Sequence, residues 1–240
     1  MCTVFIRVPD AADAPIRLLA VRDEDPARAW NPLGAWWPDT LPGVLGVRDV
    51  RAGGAWLAAD PARSRLAVLL NRADVLRRPD SELVSRGAIV LDSVAGRSPA
   101  EEPPAHGFNL VEIDAHGARV ITWNGVELTT TPLEPGSHMI AHDGLDDPAT
   151  PRIARWLDEF RDTGVADGER WWEPWLQLVA RSAALDPTDD DAIIRDNRAH
   201  GFPTLSLLAC TASVSSEGVD LTYGELTEPG HWGGLEFAPA

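Results

Sequence analysis

The chain opens with an alternation of apolar and mixed positions. Every second residue from Cys2 to Val8 is apolar, and Thr3 and Arg7 fall on the other side. A period of two predicts a strand that begins in the first residues. A second apolar run covers residues 16–21 and follows a proline-containing turn. The two runs together predict a β-hairpin, which ends in a charged Arg-Asp-Glu-Asp cluster.

Other apolar runs predict further strands on both sides of a central helical region. Residues 26–45 are rich in Pro and Trp and are expected to form an irregular loop. Asn124-Gly125 is a dipeptide typical of a tight hairpin turn. The remaining predicted strands lie at residues 53–59, 65–71, 108–113, 119–123, 126–128, 138–141, 204–214 and 219–226.

Apolar residues at a spacing of three and four predict the helices. Trp156 and Phe160 illustrate this spacing in one segment, and Trp172 and Trp175 illustrate it in the next. Such a pattern places the apolar side chains on one face of a helix. The predicted helices cover residues 80–95, 151–160, 169–185 and 190–198.

The order of these elements favours an α+β fold. Strands dominate the first half, helices follow, and strands return at the end, which differs from the regular alternation of a parallel α/β sheet. We therefore expect antiparallel sheets with helices on their outer faces, and the first and last strands paired near the centre. Neither an internal repeat nor a domain boundary is evident, so one domain over residues 1–240 is predicted.

Composition and charge exclude several classes of function. Apolar residues make up 44% of the chain, enough for a core, and the formal net charge is −16. This charge argues against binding to nucleic acid, which requires basic patches. All 21 basic residues are arginine. The absence of lysine excludes Schiff-base chemistry and a Walker A phosphate loop.

The sequence shows neither a metal-binding cysteine pattern nor a secretory signal. Two cysteines, Cys2 and Cys210, are too few for a disulfide framework or a zinc pattern. The first residues lack the basic and apolar regions of a secretory signal. No apolar run approaches the length of a transmembrane helix. We therefore expect a cytoplasmic protein without a membrane span or a bound metal.

Cys2 is the first candidate for chemistry. Removal of Met1 would give Cys2 both a thiol and a free α-amine, whose pKa of about 8 in model peptides suits a base near neutral pH. A nucleophile activated by its own amine is one established route to covalent catalysis. The alternative interpretation is that Cys2 is a small apolar residue at the start of a strand.

Two further candidates lie at predicted strand ends. The cluster of Arg22, Asp23, Glu24 and Asp25 should lie beside Cys2 if the first hairpin forms, and it is otherwise an ordinary charged turn. An arginine there would stabilise a thiolate or bind a carboxylate, and an acid would bind the α-ammonium group. Asn71 ends a predicted strand, where its amide could donate to an oxyanion or begin a turn.

These residues fall within motifs that resemble the NRDE-motif family, also known as the transport and Golgi organization family. The motifs occur in the family's order and occupy mainly the first half of the chain. They are Met1-Cys2-Thr3, Leu19-Ala20-Val21-Arg22-Asp23-Glu24, Gly53-Gly54-Ala55-Trp56-Leu57, Leu66-Ala67-Val68-Leu69-Leu70-Asn71, Ser85-Arg86-Gly87 and Gly107-Phe108-Asn109-Leu110. A looser match follows through Leu133-Glu134-Pro135-Gly136 and the strand around Thr204.

The resemblance implies a four-layer αββα sandwich of two antiparallel sheets, similar to the N-terminal-nucleophile (Ntn) hydrolases. Cysteine amidases of that class resemble the chain at Cys2, Arg22 and Asn71. Their acidic partner corresponds to Asp25 or, in a shifted alignment, to Asp23 or Glu24. The chain departs from the patterns at Val21, where the family has its namesake asparagine. It also departs at residues 200–204, which lack the arginine expected in those amidases.

Aromatic residues and one histidine suggest where a ligand would bind. We assign the substrate pocket to Trp30, Trp36, Trp37, Trp56 and Asn109. The family has been linked to haem trafficking, and a single axial ligand can hold haem. His142 lies near the place of a second amidase asparagine and is the candidate ligand of the iron.

Two functions therefore compete. The first is hydrolysis of an amide or a thioester by Cys2, with no cofactor required. The second is non-catalytic binding or trafficking of haem or an acyl-CoA-like amphiphile in the same cleft. Either function implies a small-molecule partner, and the sequence leaves the oligomeric state open.

Overall fold

The computed structural model describes residues 2–76, 78–166 and 168–239 of the chain. It contains two large antiparallel sheets. The strands are β1 (Thr3–Val8), β2 (Ile16–Glu24), β3 (Trp30–Gly34), β4 (Leu45–Asp49), β5 (Ala55–Asp60), β6 (Arg65–Asn71), β7 (Phe108–Asp114), β8 (Gly117–Trp123), β9 (Leu128–Pro132), β10 (Gly136–Ile140), β11 (Leu205–Ser215), β12 (Gly218–Glu225) and β13 (Ala238–Pro239). The helices are α1 (Gly87–Val94), α2 (Pro151–Thr163) and α3 (Glu173–Ser182), with short 3-10 helices at Pro61–Arg63, Asp80–Glu82 and Asn197–His200.

The two sheets are assembled differently. The first has six strands in the order β10-β1-β2-β11-β12-β13, so it joins the two halves of the sequence. The second has seven strands in the order β3-β4-β5-β6-β7-β8-β9, so each strand pairs with its neighbour in the chain. The second sheet is therefore a meander that is inserted, in sequence, between the strands of the first.

Alternation along the strands produces a layered core. Val4, Ile6 and Leu18 of the first sheet pack with Leu57 and Val68 of the second, and these side chains fill the space between the sheets. Their neighbours on the strands point outward, where they meet the helices. Burial of such side chains is the main source of stability, at about 1.5–3 kcal/mol for each large apolar residue.

The helices cover the two outer faces of this sandwich. Phe5 and Leu19 of the first sheet pack against Trp156 and Phe160 of α2 and against Trp175 of α3. On the opposite side, α1 packs on β5 and β6 of the second sheet. The molecule is therefore an α+β sandwich with helices outside two antiparallel sheets, and the predicted αββα architecture is confirmed.

Several predicted elements differ in extent. The loop expected at residues 26–45 contains β3 and the start of β4, because Trp30 and its neighbours pair with β4. The helix expected at residues 80–95 begins at Gly87. The strand expected at 126–128 begins at Leu128, because Asn124 caps the turn by accepting from the amides of Val126 and Glu127. The central pairing also differs from expectation, since β2, and not β1, pairs with β11.

The helical region is shorter than the sequence pattern suggests. The helix predicted at residues 169–185 covers only Glu173–Ser182. The helix predicted at residues 190–198 is absent as an α-helix from the described chain, and a 3-10 helix at Asn197–His200 occupies its end. Instead, the backbone oxygen of Asp189 and the carboxylate of Asp190 accept hydrogen bonds from the buried side chain of Arg195. These hydrogen bonds hold the segment in a non-helical conformation. In the described residues, no helix has the length and apolar character needed to cross a bilayer.

Candidate functional site

One end of the sandwich contains a cavity of about 480 Å³. At this end β1, β5 and β11 begin and β2, β4 and β6 end, as their antiparallel pairing requires. The sequence-predicted residues that line the cavity are Cys2, Arg22, Asp23, Glu24, Trp56 and Asn71. Residues from β2, β5 and β6, with Cys2 directly before β1, therefore meet in one place, although they lie up to 69 positions apart in the chain.

Cys2 lies at the inner wall of this cavity and is 9% exposed. Its Sγ lies 3.6 Å from the backbone oxygen of Asp23, to which the thiol donates. Burial raises the pKa of the Cys2 thiol, and the negative charge of Asp23 raises it further. The thiol is therefore protonated near neutral pH unless a base next to it removes the proton.

Arg22 lies beside Cys2 and is almost completely buried, with 2% of its surface exposed. Its guanidinium carbon lies 6.0 Å from the ring centre of Trp30 and 5.9 Å from that of Trp56. Nη2 donates to the carboxylate of Glu24 over 3.3 Å. Nη1 is buried without a hydrogen-bond partner in the described part of the chain. A buried, unbonded N–H of a charged group is costly, so it marks a place for an acceptor.

Asp23 belongs to a buried polar network on the other side of β2. One carboxylate oxygen accepts from the hydroxyl of Ser206 over 2.6 Å, and the other accepts from the amide of Asn197 over 3.3 Å. The Asn197 side-chain oxygen in turn accepts from Nε of Arg195 over 2.9 Å. A β-bulge lies at this point of the β2–β11 pairing, between Ser206 and Leu208. The network therefore fixes Asp23 at the rim of the cavity.

The acids that follow Asp23 have different surroundings. Glu24 lies 3.9 Å from Arg28 as well as accepting from Arg22. Arg28 also forms a 2.6 Å ion pair with Asp49 at the end of β4. Asp25 lies outside this lining, in an exposed turn where its carboxylate accepts from the amide of Ala27. Of the three acids that the resemblance left open, Asp23 and Glu24 line the cavity.

The family of the chain follows from its sequence. Residues 1–197 match the family described as Transport and Golgi organisation 2. The chain belongs to this family. The match extends over β1 to β10 and all three α-helices, and it ends before β11. The comparison with curated proteins found no match.

Not all residues of the Transport and Golgi organisation 2 family motifs lie at the cavity. Asn71 lies on its lining and is exposed, as the end of a strand allows. Asn109 is fully buried, and its amide donates to the backbone oxygens of Ala141 and Asp143 over 3.1 and 2.6 Å. Asn109 therefore connects β7 to the segment after β10. Met1, which begins the first motif, lies outside the described residues.

The tryptophans assigned to the pocket are separated by the structure. Trp56 lines the cavity, and Trp30 packs beside Arg22 and Tyr223. Trp37 belongs to the apolar cluster between the second sheet and α1, and the partly buried Trp36 packs against this cluster. The indole N–H of Trp37 donates to the backbone oxygen of Gly53 over 2.9 Å. Trp36 and Trp37 thus contribute to the core beneath α1.

His142 lies near Arg152, at the first turn of α2. Its Nδ1 is 3.4 Å from Nη2 of Arg152, and its Nε2 is 3.3 Å from the carboxylate of Asp143. Burial lowers the pKa of His142, and the charge of Arg152 lowers it further. The imidazole is therefore neutral near pH 7. Within residues 2–76, 78–166 and 168–239, no three His, Cys, Asp or Glu side chains are arranged to hold a metal ion.

Sequence reasoning did not identify three arginines at or behind the cavity. Arg86 lines it, Arg152 donates to the hydroxyl of Thr3 over 2.9 Å, and Arg195 supports Asn197. Burial lowers the pKa of Arg152 to about 10. The sequence did contain a signal for Arg152, because this residue lies four positions before Trp156 and so falls on the buried, apolar face of α2. Arg195 lies next to β11, because its backbone amide donates to the hydroxyl of Ser206 over 2.9 Å.

Proposed function

We propose that this member of the Transport and Golgi organisation 2 family hydrolyses an amide or thioester of a small molecule, with Cys2 as nucleophile. The observation that supports this most is the meeting of Cys2, Arg22 and Asn71 on one cavity wall. These residues come from separate strand ends, and a purely structural thiol would not require them. The cavity volume of about 480 Å³ is within the range of small-molecule sites.

The first half of the proposed reaction forms an acyl-enzyme. In a chain that begins at Cys2, the α-amine accepts the thiol proton as the sulfur forms a bond to the substrate carbonyl carbon. The carbonyl oxygen becomes an oxyanion, to which the Asn71 amide donates. The intermediate collapses, the bond to the amine or thiol leaving group breaks, and the α-ammonium returns its proton to that group.

The second half releases the acyl group by hydrolysis. A water molecule loses a proton to the α-amine and attacks the thioester carbon, and a second oxyanion forms. Its collapse breaks the bond to sulfur and returns the proton to Cys2, which leaves a carboxylic acid and the free thiol. We assign to Asp23, whose carboxylate lies at the rim of the cavity, the binding of the α-ammonium group between these steps.

The raised pKa of the Cys2 thiol makes the α-amine essential in this scheme. Burial disfavours the thiolate, so the surrounding charges alone do not activate the sulfur. A base next to the thiol removes the proton only when the carbonyl is in place. Arg22 then stabilises the negative charge that develops beside it.

The test combines turnover with detection of the acyl-enzyme. Purified protein is incubated with N-acyl p-nitroanilides and with acyl thioesters of N-acetylcysteamine, and its intact mass is recorded before and during the reaction. We expect a mass without Met1, an acyl adduct on Cys2, and a loss of turnover of at least about 1,000-fold in Cys2→Ala.

Cys210→Ala is the matched control. Cys210 is the other thiol of the chain and is fully buried between the sheets. This variant should keep the turnover of the original protein, provided that circular dichroism shows both variants folded. Retained turnover in Cys2→Ala would rule out the proposed nucleophile, and a retained Met1 would rule out the amine as base.

The protonated Cys2 thiol also favours a second candidate function, which is non-catalytic binding of haem or of an acyl-CoA-like amphiphile. The neutral imidazole of His142 is the form that coordinates iron. Titration with haemin, followed by the Soret band, and with palmitoyl-CoA tests this function. A carrier should bind its ligand equally well after Cys2→Ala, and His142→Ala should weaken haemin binding alone. An unchanged haemin affinity in His142→Ala would exclude this residue as the iron ligand.

A further inference from the structure

The charged residues around the Cys2 cavity do not balance each other. Its lining includes four arginines and three acids, namely Arg22, Arg28, Arg51, Arg86, Asp23, Glu24 and Asp49. Glu24 and Asp49 are occupied by Arg22 and Arg28. Asp23 is bound by Ser206 and Asn197. Arg51 and Arg86 therefore lack a carboxylate partner among the described residues, in a chain whose net charge is −16.

Arg86 is the better placed of the two to bind a ligand. It directly precedes α1, and its Nη1 donates to the neutral backbone oxygen of Gly107 over 2.8 Å. Burial lowers the pKa of Arg86, while the negative charges of Asp74, Glu24 and the Cys2 thiolate oppose this shift. Cys2 and Arg86 both line the same cavity.

The N-terminus of α1 adds to this positive region. Gly87, its first residue, lines the cavity. The hydroxyl of Ser85 accepts from the Gly87 amide over 3.3 Å, but the first turn of α1 contains no acid. No carboxylate of that turn therefore balances the partial positive charge of the helix N-terminus. A contact between the backbones of Gly54 and Gly87 holds this end against β5, since a Cβ on Gly54 would lie 2.6 Å from the Gly87 Cα.

A second, independent observation points to a missing acceptor. Arg22 lines the same cavity, is 2% exposed, and carries the Nη1 that no described residue accepts from. An oxyanion with several lone pairs can accept from more than one such donor, and hydrogen bonds between charged groups are the strongest of this kind. A water molecule or a neutral amide could accept from Arg22, but unlike an oxyanion it would not balance the charge of Arg86.

We infer that the ligand of this cavity carries an oxyanion group, a carboxylate or a phosphate, which binds between Arg86, Arg22 and the N-terminus of α1. The inference rests on the proposed function in one respect, since it makes the substrate an acidic amide or thioester whose reacting carbonyl lies at Cys2. The binding of the anion itself requires no turnover.

Alkylation of Cys2 by a matched pair of reagents tests this anion site. Iodoacetate carries a carboxylate and iodoacetamide is its neutral analogue, so the ratio of their rates reports the charge that surrounds the thiol. Mass mapping separates Cys2 from Cys210. We expect this ratio to exceed that of free glutathione by about tenfold or more, and to fall to the glutathione value in Arg86→Gln.

Arg97→Gln is the matched control for this substitution. Arg97 lies just beyond the opposite end of α1, is largely exposed and pairs with Asp92. This variant should leave both rates unchanged. A wild-type ratio equal to that of glutathione, or a ratio that survives Arg86→Gln, would overturn the inference.

A measurement that does not use the thiol covers a case in which Cys2 is unreactive or Arg86→Gln does not fold. Glutarate and glycerol phosphate are added at constant ionic strength, with glutaramide as the neutral control, and Tm is measured. We expect one or both anions to raise Tm in the wild-type protein, which also separates a carboxylate site from a phosphate site. Equal Tm values with anions and with glutaramide would contradict the anion site.

The two proposals fail differently. Anion effects that depend on Arg86, without hydrolysis of any probe, would leave the anion site standing and reject the hydrolase. Hydrolysis that depends on Cys2, with equal rates for acidic and neutral acyl probes and no effect of Arg86→Gln, would support the hydrolase and reject the anion site.

Discussion

His138 illustrates how a single side chain couples the fold to pH. Its Nδ1 lies 2.7 Å from the carboxylate of Asp146, and its Nε2 lies 2.8 Å from the backbone oxygen of Glu134. Both partners are acceptors, so both ring nitrogens donate and the imidazole is charged. Asp146 also accepts from the Met139 amide and holds a left-handed backbone conformation with φ of 53°. The hydrogen bond to Asp146 raises the pKa of His138.

This ion pair predicts that stability declines with rising pH. A folded-state pKa above the unfolded value means that the contribution is complete below about pH 6.5 and is lost as pH rises through the folded pKa. Urea unfolding of the wild type and of His138→Gln should differ by about 1 kcal/mol at about pH 5.5 and by less at about pH 9.

His116→Gln provides the comparison, because His116 is exposed in the turn between β7 and β8. Its unfolding free energy should follow that of the wild type at both pH values. A difference between wild type and His138→Gln that grew with pH would show that His138 is neutral in the folded protein.

Residues at the site were predictable to different degrees. Cys2, Arg22 and Asn71 could be selected because they occupy strand ends or motif positions that the sequence displays. Arg86 lay within a quoted motif without an assigned role, because its importance depends on the tertiary position of α1. The sequence did not connect Arg195 and Ser206 with Asp23, because they meet only through the pairing of β2 with β11, at the β-bulge between Ser206 and Leu208.

The β2 strand shows why an element's ends are harder to predict than its centre. Its apolar run stops at Val21, but the strand continues to Glu24. Arg22 and Asp23 remain in the ladder because β11 pairs with them and because the buried side chains of Ser206 and Asn197 bind the Asp23 carboxylate. The helix at Glu173–Ser182 departs in the other direction, because its apolar pattern extends to Trp172 and Ala183, which are its caps. Tertiary contacts thus override local pattern at both places.

The approach of α1 to β5 provides a test at the level of elements. A Cβ on Gly54 would lie 2.3 Å from the backbone carbon of Gly87, far inside contact distance. Gly54→Ala should therefore displace the N-terminus of α1 and lower the free energy of unfolding by about 1–3 kcal/mol. Urea unfolding measures this change.

Gly117→Ala is the control for Gly54→Ala. A Cβ on Gly117 would meet nothing within 4 Å, and its backbone does not require glycine. The substitution should change the unfolding free energy by less than about 0.5 kcal/mol. Equal effects of both substitutions would mean that α1 does not depend on the close contact at Gly54.

At the scale of the molecule, the sandwich was predictable while its pairing was not. Alternating apolar residues predict the strands, and apolar residues three and four positions apart after residue 150 predict the helices. Both patterns also indicate which face of each element is buried. The meander of the second sheet follows from hairpins between neighbours in sequence. The first sheet depends on the pairing of β2 with β11, for which local pattern gives no partner.

That pairing determines when the cavity can exist. A nascent chain leaves the ribosome with β1 and β2 first, and the strands of the meander follow in spatial order, so each can add to its predecessor. The hairpin of β1 and β2 must wait, with one edge open, until more than 180 further residues have been synthesised and β11 has emerged. Ser206 then reaches Asp23 and closes the network behind Cys2. Cys2 is thus synthesised long before β11 completes its surroundings, so the proposed site stays unassembled until that strand has emerged.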